Sequence, residues 1–519
     1  MELSAHILAL VCLAFFAALS ARYFTHMFQL NSYTEKVQRS WMQRKFLRLV
    51  PCALIAVIAI VCAFCKERNF IYAYLWLALG ALVLSLFYFP RKAKKPLACT
   101  ARVKRLWVTY ALLTLLVGAL AVLLGGTGEF VLLGLVTAAT PFTLLLANIC
   151  NAPIEKAVRN YYIRDAKKLL ASHKRLRIIG ITGSFGKTSV KYYLTALLGV
   201  KYNVLMTPES YNTPMGVVKT IRSSLRATHD IFVCEMGAKY VGDIAELCDI
   251  VHPENGIVTS IGEQHLESFG SVENIIKTKY ELADALPEGG KLYINISSGT
   301  VNKNRPSRSA VTYGLFPDAD YYAADISVSS AGTTFTLCHG EEKQQYTTRL
   351  IGEANVVNIV GAIAAANDAY GIPLSELKGA VASLKCVPHR MELLDRGSMI
   401  IIDDAFNSNP AGAAAALRTV ALFDAVKIII TPGMIELGAK SDELNAELGK
   451  NAASVCDWIV AVGERQAKPI VKGAKDAGFD KDHIHVAKTF TEAMDFVRAI
   501  DAKGKKKVIL LENDLPDNF

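Results

Sequence analysis

The sequence lacks any spacing of cysteines that would hold a zinc ion. Its 11 cysteines are scattered, and the one close pair, Cys62 and Cys65, ends an apolar segment with no second pair to complete a four-cysteine site. Isolated cysteines usually behave as small apolar side chains. We therefore expect these thiols to face a membrane or a core, and we predict no zinc ribbon.

An excess of positive charge is missing from most of the chain. Residues 1–150 hold 15 of the 57 lysines and arginines against 4 of the 47 acidic residues, whereas residues 151–519 hold 42 against 43. A nucleic-acid-binding domain needs a basic face. The balance after residue 150 therefore argues against a nucleic-acid partner, and the net charge of +10 belongs to the first part of the chain.

Charged residues are scarce within five long apolar segments of that first part. The segments cover residues 3–21, 49–65, 71–89, 106–124 and 130–147. A helix needs about 20 residues to cross a bilayer. Five such stretches in succession predict a bundle of about five transmembrane helices rather than buried helices of a soluble core. No basic residue precedes the first segment, so it is predicted to be a retained anchor and not a signal peptide.

The basic residues between these segments predict their orientation. The second and fourth connections are short, and the fourth has no basic residue. Six basic residues flank the first connection: Arg22, Lys36, Arg39, Arg44, Lys45 and Arg48. Seven fill the third: Arg91, Lys92, Lys94, Lys95, Arg102, Lys104 and Arg105. Short cytoplasmic loops carry the excess of lysine and arginine. We therefore expect a multi-pass protein of the bacterial plasma membrane, with its N-terminus outside and everything after residue 147 in the cytoplasm.

Hydrophobic patterning after residue 150 predicts two α/β domains. Basic and apolar residues interleave over 154–172, which indicates a helix that lies on the inner membrane face or packs on the next domain. Short β-branched runs then alternate with helical stretches, at 177–182, 231–236, 256–261 and 292–296, and again at 399–402, 426–430, 458–462 and 507–511. This alternation is typical of parallel sheets with helices on both faces. We predict a transmembrane helical region at 1–150, an ATP-binding domain at 151–395 and a Rossmann-like domain at 396–519.

The run GITGSFGKTS at residues 180–189 has the chemistry of a phosphate-binding loop. Glycines let backbone N–H groups approach phosphate oxygens, Lys187 supplies a positive charge, and the Thr188 hydroxyl can reach a magnesium ion. The general pattern requires a glycine where this chain has Ile181, with Gly180 one step earlier. The run still predicts a site for a nucleoside triphosphate, and specifically ATP.

Three further residues follow predicted strands or lie on a predicted helix. Glu235 ends the apolar run 231–234, a position from which a carboxylate can face a nucleotide-bound magnesium ion. His265 follows the strand at 256–261, and Lys279 lies on a helix predicted for 272–286. Taken singly, a loop histidine and a helical lysine are usually not ligands.

Together these motifs resemble the Mur ligase family, the ATP-dependent amide-forming enzymes of peptidoglycan precursor synthesis, over residues 177–515. The resemblance implies that the loop binds ATP and Mg²⁺ through Gly183, Ser184, Gly186, Lys187, Thr188 and Ser189. It also implies that Glu235 and His265 are metal-associated and that Lys279 is carbamylated, with Lys277 as the competing position. A carbamylated lysine is anionic and can hold a second magnesium ion.

The resemblance extends into the last third of the chain. It implies that Asn355 and Asn358 contact adenine, that Arg390 binds phosphate and that Asp404, in the run DDAFNSNP at 403–410, seats the ribose. That run, together with GMIELG at 433–438, is similar to the branch of the family that adds D-alanyl-D-alanine. Lys187, Lys279, His265 and Arg390 are then the predicted catalytic residues, and Thr188, Glu235, His265 and Lys279 the predicted metal-binding residues.

Several positions depart from the family pattern. Ala354 replaces the histidine of its H-N-x-x-N motif, His389 replaces the glycine before Arg390, and residues 511–514 read LEND where this branch has a Lys-Gly-Ser element near the second substrate. Soluble relatives also carry an N-terminal domain that holds the UDP-sugar, whereas this chain has apolar segments there. The acceptor is therefore less securely predicted than the ATP chemistry.

The resulting hypothesis is a membrane-bound, ADP-forming ligase that joins D-alanyl-D-alanine to UDP-MurNAc-tripeptide through an acyl phosphate. One alternative is a ligase or amidating enzyme that acts on a lipid-linked cell-wall precursor, with membrane lipid as a partner. Two others are an ATP-driven transporter and a degenerate nucleotide-binding scaffold. The sequence has no LSGGQ-like signature and no charge within its apolar segments, which argues against transport, and the retained Lys187, Glu235 and Arg390 argue against a scaffold.

Overall fold

The structure is a computed structural model that describes residues 2–65, 70–90, 93, 95–329, 331–406, 408–463 and 467–514. The chain divides into two compact units, Met1–Asn160 and Tyr161–Asp514. The first is helical, and the second contains two β-sheets with their flanking helices.

Helices, most of them apolar, build the first unit. They are α1 (Glu2–Leu30), α2 (Glu35–Arg44), α3 (Val50–Cys65), α4 (Phe70–Ser85), α5 (Ala101–Leu124), α6 (Gly126–Ala138) and α7 (Thr140–Ser172), which continues into the second unit. Helix α1 packs along α4, and α3 packs along α6. Aromatic side chains such as Phe16, Phe24 and Phe130 fill the core between them.

The number of long apolar helices differs from the predicted five. Among the described residues, Leu3–Leu30, Ile71–Tyr88 and Ala101–Leu124 have the length and composition to cross a membrane. The fifth predicted segment is instead two helices, α6 and α7, bent by 68°, and counting this pair as one span gives four. The second segment forms an apolar helix shorter than 18 residues, Val50–Phe64.

The carboxylate of Glu129 is buried inside the helical unit, although the sequence placed this residue at the end of the fourth connection. Glu129 belongs to α6, is 5% exposed, and has its Oε1 2.5 Å from Nε2 of His6 on α1. The His6 ring stacks on Tyr74 of α4, with ring centroids 4.7 Å apart. Glu129 thus belongs to a helix and not to the predicted connection, and its pair with His6 joins α6 to α1, with Tyr74 of α4 stacked on the histidine.

The part of α7 in the second unit packs on the domain that follows it. Ala166 is fully buried in the core of that domain, and Lys167 Nζ lies 2.8 Å from Asp249 Oδ2. Arg222 pairs with Asp165 at 2.6 Å and covers the Tyr162 ring. These contacts support the domain-packing interpretation of residues 161–172.

A nine-stranded sheet forms the middle of the chain, in the order β2-β3-β1-β4-β5-β6-β7-β8-β9. Its strands are β1 (Arg177–Thr182), β2 (Val204–Met206), β3 (Ile231–Glu235), β4 (Asn255–Val258), β5 (Leu292–Asn295), β6 (Val311–Gly314), β7 (Tyr321–Ser329), β8 (Gly332–His339) and β9 (Glu342–Thr348). Its helices are α8 (Lys187–Leu198), α9 (Pro214–Ser224), α10 (Asp243–Val251), α11 (Leu266–Phe269), α12 (Val272–Ala285), α13 (Gly299–Lys303), α14 (Glu353–Asp368) and α15 (Lys378–Ala382).

Helices cover both faces of the parallel part of this sheet, as predicted. Ile179 and Ile181 of β1 pack with α8 and α14, whereas Ile178, on the opposite face, packs with α9, α10 and α12. Strands β7 to β9 extend the sheet in antiparallel fashion. We did not predict this extension, because its strands alternate buried residues with exposed polar ones and contain no continuous apolar run.

A second, six-stranded sheet closes the chain, in the order β10-β11-β15-β12-β13-β14. Its strands are β10 (Glu392–Asp395), β11 (Met399–Asp404), β12 (Val426–Thr431), β13 (Trp458–Val462), β14 (Ile484–Ala487) and β15 (Lys507–Glu512), and its helices are α16 (Pro410–Ala421), α17 (Ser441–Ala453), α18 (Ala467–Asp476) and α19 (Phe490–Ala499). All strands are parallel except β10. Because β10 pairs with β11, this sheet begins at Glu392, before the predicted boundary at 395.

Candidate active site

The loop between β1 and α8 adopts a conformation that only glycine accommodates at two positions. Gly183 has φ +147°, and a Cβ there would lie 2.1 Å from Thr259 Oγ1. Gly186 has φ +84°, and its Cβ would lie 2.7 Å from the Asn358 side chain. Gly180 instead faces Leu282 within the core. The glycines that the loop requires are therefore Gly183 and Gly186, which explains the departure from the general spacing.

Lys187 begins α8 and lies against this loop. Its Nζ donates hydrogen bonds to the carbonyl oxygens of Gly183 and Ser184, at 2.8 and 2.9 Å. Burial lowers the pKa of Lys187 to about 8, although the Glu235 carboxylate favours the charged form. The Ser184 hydroxyl of this loop donates a hydrogen bond to the Gly262 carbonyl oxygen and fixes the loop to the segment after β4.

Glu235 ends β3 next to the start of α8, because β1 and β3 are parallel neighbours with Ile181 opposite Glu235. The carboxylate is 1% exposed. Its Oε1 accepts from Thr188 Oγ1 at 3.2 Å and from Asn212 Nδ2 at 3.0 Å. A carboxylate and a hydroxyl side by side are oxygen ligands of the kind that Mg²⁺ prefers, so these two residues fit a magnesium ion at the nucleotide phosphates.

Positive charges surround this carboxylate. Burial alone would raise the pKa of Glu235, but Lys191 and Lys187 hold it below its usual value. Nζ of Lys191 lies 3.0 Å from Oε2 of Glu235. The site is therefore rich in cations, as expected where a polyphosphate binds.

His265 follows β4 with φ +54° and faces the C-terminal domain. Its Nδ1 pairs with Glu436, whose other carboxylate oxygen lies 3.2 Å from Lys239 Nζ. Burial lowers the pKa of His265 despite this carboxylate. The pair orients the imidazole, and among the described residues Nε2 has no hydrogen-bond partner.

The two competing lysines of α12 have different surroundings. Lys279 is 3% exposed, whereas Lys277 is exposed on the helix surface. Burial, followed by the nearby charge of Lys187, lowers the pKa of Lys279 to about 7. A neutral amine is therefore available at Lys279 near physiological pH and next to the phosphate-binding loop.

The two asparagines of α14 do not lie in equivalent places. Asn358 Oδ1 approaches Gly186 of the phosphate-binding loop. Asn355 is buried, accepts from the Tyr193 hydroxyl at 2.7 Å, and donates to the Ile351 carbonyl oxygen at 2.9 Å. The structure thus brings Asn358 to the loop, while the Asn355 side chain is used in internal hydrogen bonds. Ser189, also predicted at the phosphates, is largely buried in α8.

Arg390 and Asp404 lie together at the start of the C-terminal domain. The Arg390 guanidinium is 4.2 Å from the centre of the Phe406 ring, and its charge acts on both Asp404 and Glu235. Burial raises the pKa of Asp404 to about 6, although Arg390 opposes this shift. Asn407, part of the same predicted motif, lies outside the described residues.

Two of the departures from the family pattern, at His389 and in the run 511–514, bring acidic groups together. His389 has φ +59°, and its Nδ1 lies 2.7 Å from Asp403 Oδ2. A ring nitrogen of His389 and one carboxylate oxygen each of Glu392 and Asp403, atoms that could bind a metal ion, lie within 4.8 Å of one another. Glu512, fully buried at the end of β15, accepts from the Ser408 hydroxyl, and burial raises its pKa well above the usual value.

Comparison with known proteins decides the family. Residues 181–366 match the Mur ligase middle domain, and residues 389–511 match the Mur ligase glutamate ligase domain. The chain is 31% identical to the UDP-N-acetylmuramoyl-tripeptide–D-alanyl-D-alanine ligase of Escherichia coli over 65% of its own length and 75% of the relative. It is 32% identical to the Bacillus subtilis enzyme of the same name, over 64% and 72%.

The chain belongs to the Mur ligase family. The family resemblance predicted from the motifs is therefore confirmed, and this Mur ligase is an ATP-dependent ligase. Solved structures agree on the fold. The MurF ligase of Thermotoga maritima, solved with ADP, has a TM-score of 0.61 at 25% identity and covers 69% of this chain and 80% of its own. A MurF structure from Acinetobacter baumannii has a TM-score of 0.62 at 24% identity, with 68% and 77% covered.

Sequence reasoning missed three side chains of this Mur ligase site. Lys191 and Asn212 contact Glu235, and Glu436 contacts His265. Glu436 lies in a run that the motif analysis noted, but its pairing joins residues 171 positions apart. The signal for Lys191 is its position one helical turn after Lys187, on the same face of α8.

Lys279 gives this Mur ligase a testable pH dependence. Its pKa is about 7 in the folded protein against 10.5 for an ordinary lysine, so between these values the unfolded chain binds the proton more readily. The free energy of unfolding should therefore rise with pH above 7, by at most about 1.4 kcal/mol per pH unit. In urea unfolding up to about pH 9 in bicarbonate-free buffer, Lys279→Met should lose this rise and Lys277→Met should keep it. An unchanged slope in Lys279→Met contradicts the assignment.

Proposed function

We propose that this Mur ligase joins D-alanyl-D-alanine to UDP-MurNAc-tripeptide with hydrolysis of ATP to ADP and phosphate. The observation that carries the proposal is that Glu235 contacts Thr188 at the end of the phosphate-binding loop. The chain also resembles two UDP-N-acetylmuramoyl-tripeptide–D-alanyl-D-alanine ligases over most of their length. The γ-phosphoryl group passes to a substrate carboxylate and forms an acyl phosphate. The incoming amine then attacks the acyl carbon, and phosphate leaves through a tetrahedral intermediate.

The side chains have separate parts in this reaction. Lys187 and Arg390 bind phosphate oxygens, and Thr188, Glu235 and His265 would hold magnesium ions, which would neutralise phosphate charge. Asn358 and Asp404 seat the adenosine, with Asn355 supporting the helix behind them. The protein contributes position and charge, as in other phosphoryl transfers.

We expect Lys187→Ala to lower phosphate release by at least about 100-fold, because it removes the charge that the loop holds at the phosphates. The measurement is phosphate release by the full chain with ATP, Mg²⁺, D-alanyl-D-alanine and UDP-MurNAc-tripeptide. Lys201→Ala, which removes an exposed lysine beyond the end of α8, serves as the matched control.

The same assay separates the acceptors. The proposal expects release to require UDP-MurNAc-tripeptide, and stimulation by a lipid-linked precursor instead would favour the alternative ligase. Normal turnover by Lys187→Ala, or no stimulation of the wild-type protein by either acceptor, would refute the proposed reaction.

Carbamylation of Lys279 is part of the proposal. Its neutral Nζ attacks carbon dioxide and loses a proton, which leaves an anionic carbamate that can hold magnesium next to Lys187. The burial of Lys279 and its pKa of about 7 support this choice over the exposed Lys277. After incubation with ¹³C-bicarbonate, we expect one carbamate carbon signal that Lys277→Met retains and Lys279→Met loses. Retention in Lys279→Met contradicts the assignment.

The helical unit is proposed to anchor the enzyme in the plasma membrane, with the N-terminus outside and the ligase domains in the cytoplasm. The basic third connection supports this placement, which counts the shorter helix α3 and the bent pair α6 and α7 as spans beside the three long apolar helices. Cys99 is exposed in that connection. In a variant whose only cysteine is Cys99, a membrane-impermeant maleimide should label the protein only after cells are opened. In a second variant, whose only cysteine is introduced at the exposed position 127 by Thr127→Cys, the reagent should label intact cells. Labelling of Cys99 but not of position 127 in intact cells would overturn the orientation.

A further inference from the structure

Lys191 is a fully buried lysine next to the candidate magnesium site. It lies on α8 one turn after Lys187 and is 0% exposed. Lysine side chains are almost never fully buried unless they are paired. None of the family motifs described above includes this residue, and its surroundings therefore need an explanation.

Three chain segments meet at the Lys191 ammonium group. Its Nζ lies 3.0 Å from Oε2 of Glu235 at the end of β3. It also donates a hydrogen bond to the backbone carbonyl oxygen of Glu209, in the loop after β2. The same loop supplies Asn212, whose amide donates to Oε1 of Glu235. Lys191 thus ties α8, β3 and this loop together around one carboxylate.

These contacts make the two oxygens of Glu235 different. Oε2 faces Lys191, and Oε1 faces Thr188 and Asn212. Thr188 marks the side on which the phosphate-binding loop lies. The carboxylate therefore presents one oxygen toward the phosphates, while the other is held by a positive charge.

We propose that Lys191 is a positioning residue that fixes Glu235 for magnesium and compensates its charge. With the carboxylate already neutralised, the site attracts a divalent cation weakly until nucleotide phosphates add their negative charge. The cation then binds together with the nucleotide rather than alone. This inference rests on the proposed function, in which Glu235 is a metal ligand.

A purely structural role for Lys191 predicts a different result. If the pair only holds α8 against β3, loss of the lysine weakens the fold and leaves any remaining cation affinity unchanged or reduced. If Lys191 compensates Glu235, removal of its charge increases the affinity for a cation in the absence of nucleotide. The direction of the change separates the two roles.

The test uses Lys191→Met in the full chain, which keeps the aliphatic stem and removes the charge. Mn²⁺ binding without nucleotide is followed by electron paramagnetic resonance of the free ion. We expect the dissociation constant to fall by at least about tenfold, because a unit charge a few ångströms from the cation is removed. Lys291→Met is the control: Lys291 pairs with Asp368 at 2.6 Å and lies away from the candidate magnesium site. This variant should leave the dissociation constant unchanged.

Unchanged or weaker Mn²⁺ binding by folded Lys191→Met overturns the inference. If Lys191→Met does not fold, folding of Lys191→Met/Glu235→Gln is measured by circular dichroism. Recovery in the double variant is expected, since the unpaired buried carboxylate is gone, and no recovery overturns the inference.

Glu235→Gln distinguishes this inference from the proposed function. If Glu235→Gln leaves Mn²⁺ binding in the presence of ADP unchanged, Glu235 is not a metal ligand and the proposed site fails. If Glu235→Gln weakens that binding while Lys191→Met has no effect, only the role of Lys191 is wrong.

Discussion

The parallel pairing of β1 with β3 is the constraint on which the site depends. It sets Ile181 opposite Glu235, so that the loop leaving β1 and the carboxylate ending β3 open on the same edge of the sheet. The pairing of β1 with β4 adds the segment that carries His265 to this edge. Parallel sheets bind ligands at the carboxyl ends of their strands for this reason. A shift of one residue in register would turn Glu235 toward the opposite face.

Charge at this edge follows from the same arrangement. The buried carboxylate of Glu235 is stable there because Lys187 and Lys191 approach it from α8. The charge of Arg390 in the C-terminal domain also acts on Glu235, and Glu436 of that domain meets His265. The site is thus assembled from both α/β domains, and its positive charge can accept a polyphosphate without a large electrostatic cost.

The sequence predicted those parts of the fold that depend on local pattern. Strands β1 and β13 have the predicted bounds, since each is a short apolar run bounded by polar residues. Strands β7 to β9 were missed because their exposed face is polar, and the break between α6 and α7 was missed because apolar residues continue through it.

Site residues in motifs were predictable, whereas their partners were not. Glu235 and Lys187 carry recognisable spacing, but the contacts of Lys191, Asn212 and Glu436 arise only when distant segments meet. The same limit applies to the helical unit, where the pairing of His6 with Glu129 joins residues at opposite ends of the apolar region. Hydropathy shows that these helices are apolar and does not show which polar groups face one another between them.

The most direct test of this account is a crystal structure of the protein with ADP and Mn²⁺, in which anomalous scattering locates the ion. The account predicts Mn²⁺ within bonding distance of Thr188 Oγ1 and Glu235 Oε1, at the phosphate-binding loop. An ion at His389, Glu392 and Asp403, with Glu235 free of metal, would contradict it.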